Sequence, residues 1–298
     1  CVKYTMSQKQ ATITVGDSTK ALTFGTNGEV TYTYDGDGTV TCESSDTSKV
    51  TCSVDTTNKK ITLTPVAATT SNVTVTVKAG NGTNYSAADN KTITVTVGRK
   101  SVAFPTCADK AYTAAEQTLF AAHTSGEYTN TVLKGTNVNS YTVSLTPTAN
   151  YQWSSGDNVT SARTLTCKIV KSDTTTTMSA VTKTYNGSNQ AASGASAKLS
   201  SNSSTISGAA FTYTYYSGDS CSGTALTAAP KTVGTYSVKA TLTGTDNYNT
   251  STSSCVKYTM SQKKATITVA DSTKTLTFGT NGEVTYTYDG DGTVTCES

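Results

Sequence analysis

The sequence is poor in the residues that carry chemistry. Its 298 residues include one histidine, His123, one tryptophan, Trp153, and three methionines. A Ser-His-Asp or Cys-His site would have to be built on His123, which stands in the loop-like run FAAHTSGEY. No Cys-x-x-Cys pair occurs, so the clustered ligands of a structural zinc site are missing. We expect no catalytic residue, no bound metal and no cofactor, and therefore no enzyme. Charge is also sparse, with 23 Lys+Arg against 20 Asp+Glu and a net charge of +3. No basic run occurs, which excludes the electrostatic footprint of a nucleic-acid binder. No apolar run approaches the roughly 18–20 residues of a membrane-spanning helix. Leu, Glu, Arg and Met are scarce, so good helix formers are few.

What remains is Thr, Ser, Val, Tyr, Gly and Asn. Thr and Val are stiff at χ1 and sit well on a pleated surface. They alternate: ATITV (11–15), EVTYTY (29–34), KVTCSV (49–54), KITLTP (60–65), NVTVTVKA (72–79), KTITVTV (91–97). Period 2 with Thr between apolar residues is a sheet with one face buried and one in water. Asn27-Gly28, Asn81-Gly82 and Asn186-Gly187 punctuate the runs as turn residues. The fold class expected is all-β, built of immunoglobulin-like sandwiches in a linear array.

The chain also repeats itself. Residues 255–298 copy residues 1–44 at an offset of 254, with three differences: Gln10 against Lys264, Gly16 against Ala270, and Ala21 against Thr275. A period of that size suits two or three domains. The strand and turn pattern places them at 9–98, 99–171 and 172–263. Residues 1–8 read as the last strand of a preceding domain, and 264–298 as the truncated next copy of the first. The whole reads as a window on a longer repeat protein.

The repeat organises the eight cysteines. Cys255 copies Cys1 and Cys296 copies Cys42, so one period holds six, two per domain. The simplest pairing is one bridge within each domain: Cys42 with Cys52, Cys107 with Cys167, Cys221 with Cys255. Cys42 and Cys52 flank a turn at 45–49 and are expected opposite each other across a hairpin. Cys107 is placed in the opening strand of its domain and Cys167 in the closing one. The longer loop would add about 3–5 kcal/mol in the chain-entropy model, the short one less. Cys1 and Cys296 are left without partners. Such bridges predict an extracellular setting, at a cell surface or secreted.

Three further features carry two readings each. The turn Tyr34-Asp35-Gly36-Asp37-Gly38 is either a plain hairpin turn or a weak Ca²⁺ site, though it lacks the bidentate Glu of a full loop. Trp153, in NYQW, either caps a sandwich or stacks on a sugar as a ligand-binding platform. Asn-x-Ser/Thr sequons at Asn72, Asn81, Asn84, Asn90, Asn158, Asn186, Asn202 and Asn249 arise either by chance or as glycan acceptors.

The first domain, with TVTCESSDTSKVTCSVDTTNKKITLTPV, resembles the group 2 bacterial immunoglobulin-like domain. The third, with TKTYNGSNQAAS and GTYSVKATLTGTDNYNTSTSSCVKYTM, is similar to the MBG and YDG-type repeats of bacterial surface proteins. Tyr185-Asn186-Gly187 takes the Tyr-(Asp/Asn)-Gly position and Asn247-Tyr248 precedes the last strand. In the second, ANYQWSSGDNVTSARTLTCKIV is similar to the ending found beside those repeats, while its opening, ADKAYTAAEQ, departs from Tyr-Asp-Gly. The resemblance implies stalks or spacers of large surface or secreted proteins and brings no catalytic residue. The function expected is a structural stalk or fibre whose partners are neighbouring repeats of the same chain and other copies in a fibre. The alternative is an adhesin or carbohydrate-binding array facing a glycan or host surface.

Overall fold

The computed structural model describes residues 1–156 and 159–297; the sequon at Asn158 lies outside them. Every helix or strand assigned among the described residues is a strand. The chain divides into two units: Cys1–Lys110 with Glu116–Gly135 and Asn139–Lys168, and Ala111–Ala115 with Thr136–Val138 and Ile169–Ser298.

The first unit opens with two four-stranded sheets around one core. One sheet has the order Thr19–Thr23, Lys91–Gly98, Val73–Ala79, Val40–Ser44; the other Ile13–Val15, Gly28–Tyr34, Lys60–Pro65, Val50–Asp55. Period-2 patterning does the sorting. Along Val73–Ala79 the residues Val73, Val75, Val77 and Ala79 are buried while Thr74 faces water. Ile61, Leu63, Val50 and Ile93 from the two sheets are fully buried in the same cluster. Each such side chain contributes about 1.5–3 kcal/mol by leaving water. The chain crosses between the sheets after Ser44, so Val40–Ser44 pairs with Val73–Ala79 while Val50–Asp55 pairs with Lys60–Pro65.

A second core in this unit gathers Tyr128, Val143, Leu145, Trp153, Leu165 and Cys167. Its sheet is built on Asn139–Pro147 and Arg163–Val170, with Tyr128–Thr129 at the edge. Two smaller pairs complete it: Gln117–Phe120 with Leu133–Gly135, and Lys100–Val102 running parallel to Tyr151–Trp153.

The second unit holds a sheet of order Val181–Thr184, Val256–Ser261, Gly234–Leu242, Phe211–Ser217, with Ser251–Thr252 beside Gly234–Leu242. Thr174–Thr177 and Ser196–Leu199 form a second, two-stranded sheet. The core is Ala192, Tyr215, Val238, Tyr258 and Met260. Its two tyrosines meet edge to face at 5.8 Å and bring their hydroxyls to partners. Tyr258 OH donates to Gln190 O at 2.7 Å, and Tyr215 OH accepts from Ala192 N at 2.7 Å. Burial pushes the Tyr258 phenol up to about 12. The loop residues 112 and 113 belong to this unit because Ser201 Oγ donates to Tyr112 O and Asn202 Nδ2 to Thr113 O. A short hairpin, Ile267–Val269 with Tyr286–Tyr288, comes from the second copy of the repeat. The chain is all-β, and its sandwiches are immunoglobulin-like: antiparallel sheets enclosing a core, with strand connections that cross from sheet to sheet.

Candidate functional site

The cysteines make three disulfides. Cys42–Cys52, Cys107–Cys167 and Cys221–Cys255 have Cα separations of 6.2, 5.3 and 5.8 Å, all inside the range a disulfide can span. Two placements differ from those read from the sequence. Cys42 and Cys52 do not face each other across a hairpin. Cys42 pairs with Val77 in one sheet and Cys52 with Leu63 in the other, so their bond ties the edges of the two sheets where the chain crosses over. Cys107 is not in a strand but in the segment between Lys100–Val102 and Lys110–Ala111, while Cys167 lies within Arg163–Val170. Cys221 sits in the loop after Phe211–Ser217, with its N–H donated to Ser237 Oγ, and Cys255 immediately precedes Val256–Ser261. Cys1 and Cys296 are free and exposed.

Trp153 does not present its ring to solvent. It is 1% exposed, its Nε1 donates to Ser161 O at 3.1 Å, and Phe104 and Tyr128 pack on it at 5.0 and 5.4 Å. The indole is the centre of the second core, and its one polar atom is satisfied inside.

His123 stacks on Tyr128 at 3.7 Å. Its Nε2 lies 2.5 Å from Glu127 Oε2 and 2.6 Å from Ser125 Oγ. Both partners sit on the same nitrogen. A nucleophile–base relay instead needs the acid on one ring nitrogen and the hydroxyl on the other. The Ser125 hydroxyl first, and His123 second, hold the Glu127 carboxyl below its ordinary value. The cluster fastens its own loop.

The Asp35–Gly38 turn also closes on itself and on a neighbour. Asp35 Oδ1 accepts from Thr12 N at 2.6 Å, and Tyr34 OH accepts from Gly38 N at 3.0 Å. Asp37 accepts from Asn84 N and Nδ2 through Oδ2, at 2.8 and 3.0 Å, and from Tyr85 N through Oδ1 at 3.2 Å. These donors, Asn84 N above all, hold the Asp37 carboxyl below its ordinary value. The turn is a clamp on the loop that carries Asn84-Tyr85. Among the sequons, Asn84, Asn202 and Asn249 have their Nδ2 engaged, on Asp37, Thr113 O and Asp173.

Asn84-Tyr85 has two counterparts, Asn150-Tyr151 and Asn247-Tyr248, and all three do the same thing. The segment entering each sandwich donates a backbone N–H to the Asn carbonyl: Lys9 N to Asn84 O at 3.2 Å, Lys100 N to Asn150 O at 2.9 Å, and Ser172 N, two residues ahead of Thr174–Thr177, to Asn247 O at 3.1 Å. The register is parallel in each case, with Lys9, Lys100 and Ser172 opposite the Tyr. Two of the three Asn side chains then reach further. Asn150 Oδ1 accepts from Ala68 N at 2.9 Å, and Asn247 Oδ1 accepts from Val138 N at 2.9 Å. Around Asn150 the joint is filled by Phe24 edge-on to Tyr151 at 5.6 Å and by Arg99 Nη1 donating to Tyr151 O. Sequence reading found the dipeptide only as a family signature. The available signal was its recurrence once per sandwich, ahead of the closing strand.

No family model and no curated protein matches the chain. Among solved structures it is similar to domains A168 to A170 of titin: 10% identity, covering 85% of this chain and 100% of that one, with a TM-score of 0.31. It is also similar to the first four extracellular domains of Drosophila N-cadherin, at 11% identity, 83% and 73% coverage and a TM-score of 0.22. A third is the surface-layer protein SbsC, at 15% identity, 87% and 42% coverage and a TM-score of 0.18. At such scores the fold rests on the strand pairing itself.

Proposed function

We propose that the chain is a segment of an extracellular stalk or fibre, a linear array of disulfide-stapled immunoglobulin-like domains at 9–98, 99–171 and 172–263, of the group 2 and MBG/YDG types found in bacterial surface proteins. The observation that carries this reading is the recurring Asn-Tyr joint. The segment that enters each sandwich is tied by the same hydrogen bond, and at Asn150 and Asn247 a second bond fixes the loop before it. A repeat period makes length a matter of copy number. No helix among the described residues is long and apolar enough to cross a membrane. The disulfides favour an oxidising, extracellular setting.

The staples suit a pulled chain. A force applied at Lys100 and Val170 runs through Cys107–Cys167, so the 60-residue separation between them is shielded from extension. The adhesin alternative loses its platform with Trp153 buried, and no reaction is assigned to the chain. Small-angle scattering tests the stalk directly. One globule of this length has a radius of gyration of about 19 Å. The stalk requires a clearly larger value and a rod-like profile, and a globular particle would overturn it.

A further inference from the structure

The two joints that carry an Asn side-chain bond define both halves of a clip, and the chain holds one further copy of each half. In the formed clips the donor is the backbone N–H five residues before the first buried valine of the long central strand. Ala68 precedes Val73 in this way, and Val138 precedes Val143. The third sandwich repeats the spacing with Val233 ahead of Val238, and the runs VNSYTV (138–143) and VGTYSV (233–238) correspond position by position. On the acceptor side, Asn150 and Asn247 spend the carbonyl O on the entering segment and Oδ1 on the donor. Asn84 spends its carbonyl O on Lys9 and its Nδ2 on Asp37. Its Oδ1 has no partner among the described residues. Burial follows the same division. Ala68, Val138, Asn150 and Asn247 are half-buried, whereas Asn84 is exposed and Val233 is 48% exposed.

We infer that a third-type sandwich docks on a first-type sandwich through a hydrogen bond from Val233 N to Asn84 Oδ1, so that period joins period by the clip already used within the period. The partner is a further copy of the first sandwich, which residues 264–298 begin directly after the third. Asp37 is part of the device. By taking Asn84 Nδ2 it turns the amide so that Oδ1 is the atom left to receive a donor. The bond closes within one chain and beside the entering-segment bond of the kind Lys9 N makes to Asn84 O, so it does not have to hold two free molecules together.

The inference rests on the stalk reading in that copies follow one another in one chain. Its test is the chain extended at the C-terminus by a copy of residues 45–98, which lets residues 264–298 complete a sandwich. Amide exchange at Val233 is read by NMR, with Ala68 and Val138 as internal standards. Extension slows Val233 by about tenfold, into the range of the standards. Asn84→Ala in the added copy restores the fast rate, and so does Asn84→Asp, whose carboxylate cannot donate to Asp37 and is repelled from the place the amide held. A Val233 rate that ignores the extension, or ignores the Ala substitution, overturns the clip. In the unextended chain, Asn150→Ala and Asn247→Ala must speed exchange at Ala68 and Val138; if neither moves, the geometry is not a clip and the inference falls with it. Scattering separates the two readings. A rod with Val233 unprotected removes the clip alone, and a globule removes the stalk.

Discussion

Residues 9–44 and 263–298 are nearly the same sequence in two settings, and the difference between them separates local from distant causes. In both, the first hairpin forms in one register: Ile13 faces Tyr34 and Val15 faces Tyr32, and Ile267 faces Tyr288 and Val269 faces Tyr286. The small bonds recur as well. Thr12 N reaches Asp35 Oδ1 at 2.6 Å and Thr266 N reaches Asp289 Oδ1 at 2.6 Å. Tyr34 OH accepts from Gly38 N and Tyr288 OH from Gly292 N, at 3.0 and 3.2 Å. Even the substituted position keeps its bond, Gly16 N to Thr31 O and Ala270 N to Thr285 O.

The distant pairings do not recur. Thr19–Thr23 is a strand because Lys91–Gly98 runs beside it, and Val40–Ser44 because Val73–Ala79 does. The matching residues 273–277 and 294–297 have no such neighbours and are not strands. Gly28–Tyr34 shrinks to Tyr286–Tyr288, since its first half needs Lys60–Pro65. Burial goes with the partners: Ile13 is 1% exposed and Ile267 51%, Tyr32 3% and Tyr286 55%. Short-range sequence thus writes the hairpin and its register, while the core is written by residues 45–97.

The sharpest way to break the comparison is to make one substitution in both copies. Ile13→Ala removes a buried side chain from the first core and should cost about 4 kcal/mol. Ile267→Ala removes an exposed one and should fall within about 0.5 kcal/mol of the parent. Urea unfolding followed at the amides of Val30 and Tyr32 reads the first. Equal effects would mean that the second copy buries its hairpin after all.

A smaller effect is expected at Cys42, whose copy Cys296 is free. Replacing Cys42 and Cys52 together by Ser should destabilise the first sandwich by about 3 kcal/mol, by opening a loop of sequence separation 10. Cys296→Ser should leave that sandwich unchanged. The same urea titration decides it, and a loss well under 1 kcal/mol at Cys42 would show that the sheet edges hold without the staple.

How much was legible beforehand follows the same division. Strand identity, period-2 burial and the all-β class were readable because Thr and Val alternate within single strands. The crossing of the chain between sheets at 45–49 was not. A turn flanked by two alternating runs looks like a hairpin, and only the competing pairings of Cys42 with Val77 and Cys52 with Leu63 reveal a crossover. Trp153 carries the same lesson. Its dipeptide context permitted a platform, and burial was decided by Phe104 and Tyr128, which are far from it in sequence. The joints were half legible. Asn-Tyr recurs visibly, but the donors at Ala68 and Val138 are backbone groups with no side-chain signature.

The smallest effect is also the most specific, because it isolates a charge that only one copy uses. Asp37 accepts three hydrogen bonds from Asn84 and Tyr85, whereas residues 264–298 have no counterpart of that loop for Asp291 to hold. The Asp37 carboxyl is held below its ordinary value of 3.8 in the folded chain. A depressed folded value means that the unfolded chain takes up the proton first. The stabilisation is therefore present above about pH 4 and is lost as pH falls through the folded value. Asp37→Asn removes the titrating group, so the urea midpoint of the first sandwich should fall less steeply between about pH 4 and pH 2 than in the parent. Asp291→Asn should leave the parent profile intact. If both substitutions flatten the profile, or neither does, the acid sensitivity belongs to some other carboxylate and the clamp on Asn84 is not electrostatic.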